Sequence, residues 1–180
     1  SPEAYSNATT SLKNYGYFVS SIDLFFRTKP TNPDELLPIT VAISSVENGV
    51  PGETIYASRT LNALEVKTSN SPTTSNSSTY TKFTFQDPVY LYPGREYAIK
   101  LITESPDYSV WTATLGQSYT DELGNVRRVS EQPYVGNFFN SQNASNWNPI
   151  LNQDLMFRIN RAVFELTPNT SYFNIIAGSD

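Results

Sequence analysis

Thr81-Lys82-Phe83-Thr84-Phe85 carries a large apolar side chain on every second residue, and that spacing decides the fold class. Successive side chains of an extended strand point to opposite faces, so Phe83 and Phe85 line one face while Lys82 and Thr84 line the other. The same rule puts Tyr97, Ile99 and Leu101 of Glu96-Tyr97-Ala98-Ile99-Lys100-Leu101 on one side. Ile39-Thr40-Val41-Ala42-Ile43 and Tyr108-Ser109-Val110-Trp111-Thr112 repeat the alternation, and residues 18–26 offer Phe18, Ile22, Leu24 and Phe26 to a single face. Helical period is scarce, so these segments read as half-buried antiparallel strands.

Leu155, Phe157 and Ile159 alternate in the same way, after which the apolar parity shifts to Ala162, Phe164 and Leu166. An extra residue around Asn160 and Arg161, a β-bulge, accounts for the shift. Turn chemistry separates the runs: Glu47-Asn48-Gly49-Val50-Pro51-Gly52, Tyr92-Pro93-Gly94, Ser105-Pro106-Asp107 and Leu123-Gly124-Asn125 supply positive φ or a fixed proline φ. Several short strands punctuated in this way make an all-β antiparallel β-sandwich. Residues 68–79 are almost wholly Ser, Thr, Asn and Pro, which predicts a mobile surface loop. Residues 132–149 carry Tyr134, Phe138, Phe139 and Trp147, so that long loop is expected to pack down. The chain divides into an N-terminal extension over 1–15, a sandwich domain over 16–166 and a C-terminal extension over 167–180 directed toward neighbouring structure, where Tyr172, Phe173, Ile175 and Ile176 need cover.

At 180 residues the chain has the length of one domain. Twelve Lys and Arg against seventeen Asp and Glu give a net charge of −5, which argues against nucleic acid and anionic membranes as partners. The N-terminus has no basic region followed by an apolar one, and no run approaches the length of a spanning helix. The single methionine is Met156, so Ser1 is expected to be an excised or processed end. With no cysteine there is no disulfide or thiolate chemistry, and with no histidine there is no imidazole base, metal ligand or Ser-His-Asp triad. No catalytic residue, metal or cofactor is expected.

Carboxylates are the remaining catalytic option, because glycoside cleavage needs two of them across a sugar cleft. Asp23, Asp87, Glu96, Glu104, Asp107, Asp121 and Glu122 are the candidates, and no paired-acid motif joins any two. Alternation sets Asp23 opposite Ile22 and Leu24, on the side expected to face solvent. Asp121-Glu122-Leu123-Gly124-Asn125 lacks the spaced acids of a calcium loop and reads as a hairpin turn. Asn7, Asn76, Asn143 and Asn169 stand in Asn-x-Ser/Thr sites, a number that chance explains in a chain this rich in those residues. The aromatic residues Trp111, Trp147, Tyr90, Tyr92, Tyr108, Tyr119 and Tyr134 supply either a stacking platform for sugar rings or packing within a core or protein interface, and packing is the commoner use.

The order Ser21–Phe26, Pro38–Ile43, Gly49–Gly52, Phe83–Phe85, Pro88–Leu91 and Gly94–Ile99 resembles jelly-roll modules of the carbohydrate-binding or galactose-binding-like type. Farther on, Tyr108-Ser109-Val110-Trp111 with Leu115-Gly116, Gln132-Pro133-Tyr134-Val135-Gly136-Asn137-Phe138-Phe139, Ser141 through Trp147, and Asp154-Leu155-Met156-Phe157-Arg158-Ile159 followed by Arg161 through Phe164 look like domains of baseplate wedge and tail proteins of contractile-tailed bacteriophages. The resemblance implies a structural, non-enzymatic domain of a larger virion protein, assembled in the bacterial host cytoplasm and docked to other baseplate or tail subunits. It offers no catalytic residues. The alternative it leaves open is a carbohydrate-binding module for host-surface glycans. Tyr92, Tyr108, Trp111, Tyr134, Phe138 and Trp147 are the candidate contacts under either reading.

Overall fold

The computed structural model describes residues 16–114, 118–120, 126–128, 138–141, 146–150 and 153–162. Its strands, in chain order, are β1 (Tyr17–Leu24), β2 (Phe26–Thr28), β3 (Ile39–Glu47), β4 (Val50–Leu61), β5 (Thr81–Leu91), β6 (Tyr97–Thr103), β7 (Ser109–Val110), β8 (Thr112–Thr114), β9 (Ser118–Thr120), β10 (Val126–Arg128), β11 (Phe138–Asn140), β12 (Asn148–Ile150), β13 (Gln153–Leu155) and β14 (Phe157–Arg161). A 3-10 turn spans Pro33–Glu35, with the Asn32 side chain accepting from the Asp34 N–H.

Two three-stranded antiparallel sheets, in the orders β14-β1-β5 and β4-β3-β6, enclose the core. Val19, Ile22, Leu24, Phe83, Phe85 and Leu91 enter it from the first sheet, and Ile39, Val41, Ile43 and Leu61 from the second, while Phe26 and Val66 fill the space between. Tyr97, Ile99 and Leu101 pack against this core from one face of β6, and Leu155, Phe157 and Ile159 close its flank. Phe157 is thus half-buried, whereas Phe83 is wholly buried. The chain is an all-β antiparallel sandwich, and these ladders do not by themselves define a jelly-roll winding.

Asn48 and Gly49 both hold positive φ (53° and 79°), the two-residue turn whose twist matches the flanking strands β3 and β4. Thr120 pairs with Val126 across residues 121–125, so the segment read as a hairpin turn is flanked by a hairpin, although 121–125 lie outside the described residues. The strand expected over 108–112 is split. β7 pairs with β2, β8 with β13, and Trp111 between them links by its own backbone to Phe25 and Met156.

The bulge lies across the ladder from where the C-terminal parity shift places it. Val19 pairs with Arg161 and Ser21 with Asn160, so the extra residue is Ser20 of β1, whose hydroxyl donates to the Asn160 carbonyl at 3.1 Å. One inserted residue reverses the pleat. Val19 therefore turns into the core, and Phe18, expected to point inward, stays 38% exposed. Phe164 and Leu166 lie outside the described residues.

Asp23 requires a second correction. Register does put it on the outer face of its sheet, beside Arg158 and Lys82, yet it is 0% exposed. The outer face is roofed by the polar segment 68–80. The Ser69 N–H donates to the Phe26 carbonyl, Trp111 donates from its indole to the Ser69 carbonyl, and Arg158 donates to the Thr74 carbonyl. Within the segment, Thr73 and Thr79 bond each other and the Asn76 side chain accepts from Ser78. A run expected to be loose is held down because its hydroxyls satisfy its own backbone and leave carbonyls to face the sheet.

Candidate interaction surface

Arg158 reaches Asp23 Oδ2 with both Nε (2.8 Å) and Nη2 (2.6 Å), and the guanidinium lies 4.5 Å from the Tyr80 ring centroid. Burial weakens the hold of Arg158 on its proton, but the bonds to Asp23 and Tyr80 together outweigh it and raise its pKa. A carboxylate so paired and enclosed acts as a structural clamp under the segment 68–80. Among the described residues no group of three or more Asp, Glu, His or Cys is placed to hold a metal ion, and no helix is long and apolar enough to cross a membrane.

Of the six residues singled out from sequence, the four whose side chains are described, Tyr92, Tyr108, Trp111 and Trp147, each make different contacts. Tyr108 donates its hydroxyl to the Leu37 carbonyl at 2.7 Å and sets its ring edgewise to Phe26; burial raises its pKa. The Trp111 indole N–H is taken by Ser69, and Arg27 sits 5.7 Å from its ring. Trp147 is half-buried 5.5 Å from the ammonium of Lys100, a buried lysine that also donates to the Gly52 carbonyl. Phe138 pairs by its backbone with Ile150 in β11 and β12; its side chain, and the whole of Tyr134, lie outside the described residues. Both polar atoms of Tyr108 and Trp111 are thus committed to holding the fold. Of the four whose side chains are described, Tyr92 alone stands well into solvent, at 55% exposure.

Tyr92 belongs instead to a strip of aromatic rings that crosses one end of the sandwich. Phe18 of β1 meets Tyr90 of β5 at 4.9 Å, and Tyr90 meets Tyr92 at 4.9 Å. The Tyr92 N–H donates to the Tyr97 hydroxyl of β6 at 2.9 Å, and Tyr97 meets Tyr56 of β4 at 5.5 Å. Tyr56 is the inserted residue of β4, since Ile55 pairs with Ser44 and Ala57 with Ile43. Arg95 lies 5.0 Å from the Tyr92 ring and Arg161 4.3 Å from Tyr17, so a cation stands near each end of the strip on the first sheet. Gly16 allows the chain to pass this close, because a Cβ there would strike the Tyr90 ring and the Leu91 carbonyl.

Sequence reading missed Phe18, Tyr56, Tyr97 and Arg95 as members of this surface. The signal for Phe18 was present in the spacing of Val19 and Ile22, three residues apart, which no unbroken strand places on one face. Tyr56 becomes exposed through a bulge, and nothing in 53–58 marks one. The rings are inclined by 54° (Phe18 to Tyr90), 86° (Tyr90 to Tyr92) and 72° (Tyr56 to Tyr97). Such tilted and edge-to-face contacts suit side chains packing on side chains, whereas sugar rings call for faces lying in one plane. Comparison with protein-family models, with the curated proteins and with the solved structures finds no match.

Proposed function

We propose that this chain is a non-catalytic assembly module which holds neighbouring polypeptides through the aromatic strip Phe18, Tyr90, Tyr92, Tyr97 and Tyr56. The observation that carries the reading is the combination of exposure and geometry: Phe18, Tyr90, Tyr92 and Tyr56 remain between 36% and 55% exposed while already in tilted or edge-to-face ring contacts. Tyrosine contributes large, rigid contact area at low entropic cost, which is why it is enriched at protein interfaces. The setting we assign, a domain of a baseplate or tail protein of a contractile-tailed bacteriophage, is supported by the likeness of the motifs around Trp111, Phe138, Trp147 and Phe157. The glycan-binding alternative draws on the same tyrosines but lacks a coplanar pair among the ring contacts of the strip.

The test is uptake of the chain, within its parent protein, into particles after Phe18→Ser, Tyr90→Ser and Tyr92→Ser are introduced together. The three side chains are exposed, so the thermal midpoint should hold within a few degrees while uptake falls. Unchanged uptake would remove the strip as the docking surface. Binding of the parent chain to a glycan array, lost in the triple variant, would transfer the surface to the carbohydrate reading.

A further inference from the structure

The β3–β4 hairpin turns on Asn48-Gly49, and Asn48 is the only asparagine of the chain that glycine follows. Both residues are exposed and both hold positive φ, 53° and 79°, a conformation that asparagine and glycine tolerate better than other residues. Nothing lies within 4 Å of the point where a Cβ of Gly49 would stand. Among the described residues no hydrogen bond ties down the Asn48 side-chain amide or the Gly49 N–H. Two other asparagines show the contrast. The Asn76 side chain accepts from both the N–H and the hydroxyl of Ser78, and Asn32 accepts from the Asp34 N–H and precedes Pro33, which has no N–H to lose. At Asn62-Ala63 and Asn70-Ser71 the following residue carries a Cβ that crowds its own nitrogen.

We infer that Asn48 is a site of spontaneous covalent modification in the folded chain, its side-chain amide being lost as ammonia to attack by the Gly49 backbone nitrogen. The Gly49 nitrogen gives its proton to hydroxide and bonds to Asn48 Cγ. The Cγ–Nδ2 bond breaks, and the departing nitrogen takes a proton from water and leaves as ammonia. A five-membered imide remains, and water opens it at either carbonyl. Breaking the bond from the Gly49 nitrogen to Cγ gives aspartate, whereas breaking its bond to the Asn48 main-chain carbonyl carbon gives isoaspartate, whose main chain runs through Cβ and Cγ. One water is consumed and one ammonia released, with no change of oxidation state. The attack joins neighbouring groups of one chain and needs no encounter, and a glycine nitrogen has no Cβ beside it to block the approach. Either product adds a negative charge to a chain already at −5. The two products differ in what they do to the hairpin. Aspartate before glycine closes the same two-residue turn. Isoaspartate lengthens it by a methylene where there is little slack: Glu47 pairs with Val50 and Val46 with Pro51, a Cβ on Gly52 would strike the Ser45 and Glu47 side chains, and the buried Lys100 donates to the Gly52 carbonyl.

The test is to hold the full chain at physiological temperature, folded and in urea, at mildly acid and at alkaline pH, and to follow its peptides by mass spectrometry with fragmentation that separates aspartate from isoaspartate. In the folded chain Asn48 should convert ahead of Asn32, Asn62, Asn70 and Asn76, and several-fold faster at the higher pH, because the attacking nitrogen must first lose its proton. Both products should accumulate at Asn48, since the imide opens on either side. The thermal midpoint of Asn48→Asp should stay within a few degrees of the unaltered chain, while the isoaspartate form, separated by ion exchange, should melt lower than Asn48→Asp at the same charge. Conversion of Asn48 in urea but not in the folded chain, or another of these asparagines reacting first, overturns the inference. Aspartate without isoaspartate would refute the imide route, and an isoaspartate form that melts with Asn48→Asp would refute the effect assigned to the lengthened turn.

Discussion

Replacing Arg158 by Met would leave Asp23 buried beneath the segment 68–80 without the cation it is paired with. Asp23 is 0% exposed, and its Oδ1 has no hydrogen-bond partner among the described residues even with Arg158 in place, so little remains to hold the charge. Breaking a buried pair from one side leaves an uncompensated charge and costs about 3–5 kcal/mol. Urea unfolding of both proteins at pH 7 measures the difference. A deficit under about 1 kcal/mol would refute the view of Asp23 as an enclosed charge that depends on Arg158. A companion variant, Asp23→Leu with Arg158→Met, removes both charges and should be less damaging at pH 7 than Arg158→Met alone.

Two further outcomes follow from burial. Phe83→Ala should cost about 3–5 kcal/mol in the same denaturation assay, and Phe157→Ala clearly less, because Phe83 is wholly enclosed and Phe157 only partly; equal losses would show that β14 seals the core as completely as β5 does. Tyr108 has its pKa raised by burial, so its contribution is present below the ordinary tyrosine range and is lost as pH rises through the higher folded value. An ultraviolet alkaline titration compared with that of Tyr108→Phe should show the missing phenol among the late-titrating ones, and a phenol lost instead from the early phase would contradict the burial assigned to it.

Several elements were legible in the sequence because they are set by local chemistry. Alternation in 81–85, 39–43 and 97–101 defined which side chains enter the core, and Asn48-Gly49 defined the hairpin that joins β3 to β4, since both depend only on the two-residue pleat and on which residues tolerate positive φ. The candidate surface was legible only at Tyr92, and as a member of a stacking set at Tyr90. Tyr108 and Trp111 look the same in sequence, and whether their polar atoms are free depends on carbonyls of Leu37 and Ser69, which lie 71 and 42 residues away.

What the sequence determined alone is therefore the strand class, the antiparallel pairing and most of the inward faces. Only the tertiary structure decided that the outward side of β1 would be roofed, because pleat parity separates two faces without saying what lies over either. That roof converts Asp23 from a solvated acid into a buried clamp partner. Only the structure decided, too, that Ser20 would be inserted and turn Phe18 outward, since a bulge is a property of a strand and its neighbours together. The aromatic strip arises from that insertion and from the one at Tyr56, which bring together side chains from β1, β4, β5 and β6.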